Sequence, residues 1–171
     1  MRKAFITGIT GQDGSYLCDL LLEKGYDEVH GLVHRPDSLA TSHLQHLLSN
    51  RLIVGKRLFL HPGSLEDAMH LRRIVHDAKP SEFYHMAGQS SPQRSMLLPE
   101  STVETVGLAT VRILEIIKDL SNPPRFLYAS SSEVFGQPTT PFQNENTAIN
   151  PTTPYGAAKA FSQQMAKIYP S

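Results

Sequence analysis

The chain opens on a short apolar run, Lys3-Ala4-Phe5-Ile6-Thr7, that stops at Gly8. An apolar run bounded by glycine predicts a strand. From Gln12 to Lys24, Tyr16, Leu17, Leu20 and Leu21 recur at helical spacing, so a helix follows after one turn. Val29 to Val33 predicts a second strand. Leu39, Leu44, Leu47 and Leu48, set among polar residues, predict a short helix before a strand at Leu58-Phe59-Leu60. Leu65 to Ala78 predicts a helix closed by Lys79-Pro80. Next come a strand at Glu82 to Met86, a long helix from about Pro99 to Leu120, and a strand at Phe126 to Ser130. The last helix begins near Thr153 and holds Tyr155 to Tyr169. Strands alternating with helices predict an α/β fold, a doubly wound parallel sheet with helices on both faces. Strands that read as unbroken apolar runs fit a sheet buried on both sides.

Composition narrows the class. A chain of 171 residues with 40% hydrophobic residues suffices for one globular domain with its own core, spanning 1–171, and no linker or repeat divides it. Lys and Arg together number 16 and Asp and Glu 16, so there is no global basic field to recruit nucleic acid or an anionic membrane. Any anion site must be local. A single cysteine, Cys18, excludes an internal disulfide framework and reads as a buried small residue. The N-terminus enters a strand at once, with no charged leader, apolar signal core or membrane-length run, so a cytoplasmic setting is expected. His43 and His46, or His70 and His76, lack Cys or carboxylate partners at ligand spacing. Surface positions are expected for them, and no metal.

Three stretches carry chemistry. Gly8-x-x-Gly11-x-x-Gly14 lies where the first strand turns into the first helix. Glycines there let the backbone turn tightly and approach a pyrophosphate, which the free N–H groups and positive dipole end of the helix favour. Arg35, just past the second strand, stands where a carboxylate would hold a ribose 2′-hydroxyl. A planar guanidinium matches a 2′-phosphate instead, favouring NADP over NAD; the alternative is a solvated surface arginine. In Tyr155-Gly156-Ala157-Ala158-Lys159, tyrosine and lysine four apart share one helix face, so the ammonium can make the phenol a usable base. Lys159 can also hold the nicotinamide ribose. Ser131, at the end of the fifth strand, would hydrogen-bond the reacting oxygen. Glu133 follows it, and a solvated loop carboxylate is the competing reading there.

These motifs, with Ile6-Thr7-Gly8-Ile9-Thr10-Gly11-Gln12-Asp13-Gly14, Ala129-Ser130-Ser131-Ser132-Glu133-Val134-Phe135-Gly136 and Pro154-Tyr155-Gly156-Ala157-Ala158-Lys159, resemble the extended short-chain dehydrogenase/reductases, the NAD-dependent epimerase/dehydratase family. Within it the chain is most similar to the GDP-mannose 4,6-dehydratases. The resemblance spans essentially the whole chain and implies a Rossmann-like domain. It implies a cofactor site of Gly8, Gly11, Gln12, Asp13, Gly14, Arg35, Ser64, Leu65, Ala87, Tyr155 and Lys159, taking NADP or NAD. It also implies that Tyr155 and Ser131 assist oxidation at C4 of a nucleotide-linked mannose and that Glu133 abstracts the C5 proton, with a homo-oligomer as the assembly. Ser131 replaces a threonine of that family, Ser64 an aspartate that contacts adenine, His34 one of two arginines, and Phe135 a tyrosine.

Relatives are about twice as long, so the resemblance implies that the substrate-binding domain is absent from these residues. The chain alone is then expected to keep a cofactor surface and turn over little substrate. Gln137 to Pro154 reads as a long loop over the site that orders on substrate binding. Three readings stay open: a GDP-mannose dehydratase, a related nucleotide-sugar epimerase or reductase with no need of Glu133, and a non-catalytic dinucleotide-binding module.

Overall fold

Five short strands form one parallel sheet: β1 (Lys3–Thr7), β2 (Glu28–Val33), β3 (Leu58–Pro62), β4 (Glu82–His85) and β5 (Arg125–Tyr128). Their order is β3-β2-β1-β4-β5. The computed structural model describes residues 1–169, with the side chains of 38, 40 and 41 left aside. The helices are α1 (Gln12–Glu23), α2 (Gln45–Leu48), α3 (Ala68–Ala78), α4 (Pro92–Leu97), α5 (Pro99–Thr102), α6 (Ala109–Lys118) and α7 (Pro154–Ile168). Tight 3₁₀ turns cover Pro36–Thr41 and Ser132–Phe135. The doubly wound parallel sheet expected from the alternation is present, with β1 central and the order reversing between β1 and β4. Such a reversal opens a crevice at the carboxyl ends of the two strands.

The chain divides into two units. The first, residues 1–87 with 115–128, contains the whole sheet, α1, α2 and α3. Phe5, Ile6, Ile9, Leu58 and Phe83 are fully buried in it, and α1 adds Cys18, Leu21 and Leu22. The second, residues 88–114 with 129 onward, contains α4, α5, the start of α6, the 3₁₀ turn at Ser132–Phe135 and α7.

Several expectations are corrected. The strands are not unbroken apolar runs. One face carries a row of rings across all five strands, Phe59, His30, Phe5, Phe83 and Phe126, each in register with the next. Their centroids lie 4.9, 6.4, 5.0 and 6.0 Å apart in that order, so histidine substitutes for an apolar ring by stacking. The third helix starts at Ala68 rather than Leu65, because the Asp67 carboxylate accepts the N–H of His70 and caps it there. The long helix expected from Pro99 is interrupted by a π-helical stretch, Val103–Leu108, and ends at Lys118. Helix α4 was not anticipated, although Ser91-Pro92 is a start signal: Ser91 Oγ accepts the Arg94 N–H, and proline fills the first turn. His43 and His46 are exposed, whereas His70 and His76 are half-buried.

Candidate functional site

In the first unit, β1 hands the chain to α1 through Gly8 at φ +76°, a left-handed conformation that disfavours any side chain. A Cβ on Gly8 would lie 2.9 Å from the Ala87 nitrogen, and one on Gly14 would lie 2.2 Å from the Gly8 carbonyl oxygen. These two glycines therefore bring the start of α1 and the end of β4 against one turn. The buried Thr7 hydroxyl accepts the N–H groups of Met86 and Ala87, each at 3.2 Å. Its own proton is then left to donate to His85 Nδ1 at 2.7 Å, which makes that ring the Nε2–H tautomer.

Gly11, Gln12 and Asp13 are exposed at the N-terminus of α1, where no side chain caps the helix. The first-turn N–H groups are thus offered outward, the arrangement a pyrophosphate needs. Arg35 lies two residues past β2 and is exposed; Ser64 lies two past β3, and Ala87 two past β4. Strand parallelism therefore puts these predicted cofactor residues at one carboxyl edge of the sheet. Ser64 is half-buried, and its hydroxyl accepts the Glu66 N–H at 3.2 Å, while Leu65 is buried. The cradle around Gly8 and Gly14, with no room for a side chain and with uncapped amides beside it, fits a dinucleotide.

In the second unit, Ser131 caps the turn Ser132–Phe135: its Oγ accepts the Glu133 N–H at 3.2 Å. An oxygen so engaged keeps its own proton available to donate. Helix α7 is started by Thr153, whose hydroxyl accepts the Gly156 N–H at 3.0 Å, with Pro154 in the first turn. The Tyr155 N–H donates to the buried Ser95 hydroxyl at 3.1 Å. A Cβ on Gly156 would lie 2.5 Å from the Glu133 carbonyl oxygen, so the missing side chain lets the Glu133 turn rest on the first turn of α7.

Tyr155 and Lys159 are both buried, with Lys159 Nζ 5.8 Å from the Tyr155 ring centre. The ammonium donates to the Ala129 carbonyl at 2.7 Å, and burial lowers its pKa from 10.5 to about 8. At neutral pH it remains mostly charged. Ser131, Glu133, Tyr155 and Lys159 thus gather within the second unit, and the glycine turn with Arg35, Ser64, Leu65 and Ala87 within the first. The chain pattern did not reveal Ser95 or the spacer role of Gly156. A glycine inside a helical pattern was the one available sign of the latter.

Burial pushes the Cys18 thiol up to about 12. Among the described residues no group of three or more His, Cys, Asp or Glu could hold a metal ion. No helix among them is long and apolar enough to cross a membrane.

A family model described as GDP-mannose 4,6 dehydratase matches residues 5–171. The chain is 44% identical over 164 residues to a GDP-mannose 4,6 dehydratase of Cricetulus griseus, covering 94% of this chain and 44% of that protein. It is 42% identical over 171 residues to a GDP-mannose 4,6-dehydratase of Yersinia enterocolitica, covering 99% of this chain and 46% of that protein. The chain therefore spans less than half the length of these curated relatives. Among solved structures, UDP-glucose 4-epimerase of Thermus thermophilus in complex with NAD is similar, with a TM-score of 0.81 at 25% identity. That similarity covers 98% of this chain and 50% of the other.

Proposed function

The chain belongs to the GDP-mannose 4,6 dehydratase family, and from that premise we propose that it carries the cofactor-binding and proton-transfer residues of a GDP-mannose 4,6-dehydratase. The observation that supports the reading is the seating of the Glu133 backbone turn on Gly156, next to Tyr155 in sequence. An enzyme that only moves hydride needs one base; an elimination needs a second.

When bound, the dinucleotide supplies a hydride acceptor for C4 of the sugar and a donor for C6, with no net consumption. Gly8, Gly11 and Gly14 cradle its pyrophosphate, Gln12 and Asp13 border it, and Ser64, Leu65 and Ala87 line its path along the strand ends. Arg35 pairs with a 2′-phosphate and makes NADP the preferred cofactor. Tyr155 takes the C4 hydroxyl proton, Ser131 donates to the same oxygen, and the Lys159 ammonium supports the phenolate and holds the nicotinamide ribose. With C4 a ketone, the C5 proton is acidic. Glu133 accepts it and hands it to the C6 hydroxyl, which leaves as water as the C5–H electron pair forms the C5–C6 double bond; once C6 is reduced, a solvent proton returns to C5 and Tyr155 releases its own to solvent. The product is GDP-4-keto-6-deoxy-mannose. The same reading places the chain in the cytoplasm and in a homo-oligomer.

The likeness to an epimerase favours a second reading, an NAD(P)-dependent epimerase or reductase that uses Tyr155 and Lys159 alone. Because the chain spans less than half of its relatives, the first experiment is cofactor binding by calorimetry. NADP should bind, more tightly than NAD, and Arg35→Ala should erase that preference. Binding of neither would sink the reading. Glu133→Gln then separates the two enzymes: loss of C5 proton exchange with solvent, with hydride transfer retained, marks the dehydratase.

A further inference from the structure

Gly31 lies in the middle of β2, in register with Ile6 of β1 and Leu60 of β3. A side chain there would face the fully buried Ile9, which comes from the glycine turn itself, between Gly8 and Gly11. A Cβ built on Gly31 would lie 2.3 Å from Ile9 Cδ1, 2.6 Å from its Cγ2 and 3.0 Å from its Cβ. Ile9 therefore fills the space that any β2 side chain at this position would take.

We infer that Ile9 and Gly31 are a knob and hole that set the height of the glycine turn over the sheet, making both positioning residues for the dinucleotide. Isoleucine is β-branched and stiff about χ1. Cδ1 can swing away from an added methyl and Cγ2 can do so only by a change of χ1 that a buried β-branched side chain resists, but Cβ, at 3.0 Å, retreats only if the backbone of the turn moves. The turn has little freedom to absorb this, because Gly8 is already against Ala87 and Gly14 against the Gly8 carbonyl. A methyl group on β2 is thereby transmitted to the amides that open α1. The inference rests on the reading of Gly8–Gly14 as the dinucleotide turn.

The test is a double-mutant cycle on the full chain, with the Kd for NADP measured by calorimetry and thermal stability followed beside it. Gly31→Ala is expected to weaken NADP binding by ~10-fold or more, since shifts of order 1 Å in a binding group have effects of that size. Ile9→Ala placed in the Gly31→Ala background removes Cγ2 and Cδ1 and should recover most of the loss. Leu58→Ala, in β3 and fully buried, serves as the destabilised control that keeps the wild-type Kd. Wild-type affinity in Gly31→Ala, or a double variant binding no better than Gly31→Ala, overturns the inference while leaving the cofactor reading intact. Should Gly31→Ala not fold, recovery of folding and binding in the double variant supports the inference, and an unfolded double variant overturns it. An unaltered chain that binds neither NADP nor NAD overturns the cofactor reading itself, and the inference with it.

Discussion

Lys159 shows how far one residue can be read from spacing. The four-residue step from Tyr155 identifies the pair, but the partner that holds the ammonium, the Ala129 carbonyl, comes from a separate stretch of chain and left no mark in the sequence pattern. Desolvation by burial penalises the charge, so the pKa falls from 10.5 to about 8. The shift amounts to roughly 3 kcal/mol against the charged folded state, of which an apolar replacement would recover ~2 after the Ala129 carbonyl loses its donor. Lys159→Met is therefore expected to raise the urea midpoint at pH 7 while removing the group proposed to support Tyr155. The sign of the linkage follows: the unfolded chain binds the extra proton between pH 8 and 10.5, so this residue's contribution to stability rises with pH across that window. A Lys159→Met chain less stable than the unaltered one would refute the account.

Most elements were legible in kind and order, because apolar periodicity sets them, but α4 was not, and the helix from Pro99 is divided into α5, a π-helical stretch and α6. Their boundaries were set by individual hydrogen bonds, such as the Asp67 cap on α3. What periodicity hid was the pairing between elements. His30 in β2 donates from Nε2 to the Glu28 carboxylate at 3.0 Å, so its Nδ1 accepts from His61 Nε2 of β3 at 2.9 Å. Both rings are held neutral: burial lowers each, His61 from 6.5 to about 4. Lys3 holds the Glu28 carboxylate as the anion, while His70 and Asp77 act on His61 with opposite signs. The unfolded chain takes up more protons between pH 6.5 and 4, so the stability this pair contributes is complete above 6.5 and lost as pH falls through 4. His61→Phe should flatten that dependence by about 1–2 kcal/mol, allowing for partial exposure, in denaturation curves taken across the range. Helix α7 gives a second case. Glycine to alanine inside a helix ordinarily gains about 1 kcal/mol, but at Gly156 the methyl would meet the Glu133 carbonyl at 2.5 Å. Overpacking of about 1–3 kcal/mol should win, so Gly156→Ala is expected to destabilise and to impair Glu133 before Tyr155.

For the whole molecule, charge and edges decide behaviour in solution. The formal net charge is zero at pH 7, which removes the repulsion that keeps chains apart. Parallel pairing leaves β3 and β5 at the sheet edges, and the two differ. The turn before β3 folds back on it, with the Gly55 N–H donating to the Leu58 carbonyl at 2.9 Å and the Leu58 N–H to the Ile53 carbonyl at 2.9 Å. At β5, Arg125 and Leu127 are exposed and Leu127 shows 47% of its surface. An exposed apolar residue on an edge strand of a chain without net charge is a site for association. That residue was legible as part of an apolar run, but its exposure was not, because the same run in a central strand would be buried on both faces. Sedimentation velocity over a concentration series should therefore show association that is strongest near neutral pH and weaker in Leu127→Lys. The substitution places a charge on the edge, and as a surface change it should move stability by no more than about 0.5 kcal/mol. Unchanged association in that variant would move the contact away from β5, to the exposed apolar side chains of the second unit such as Leu97 and Phe142.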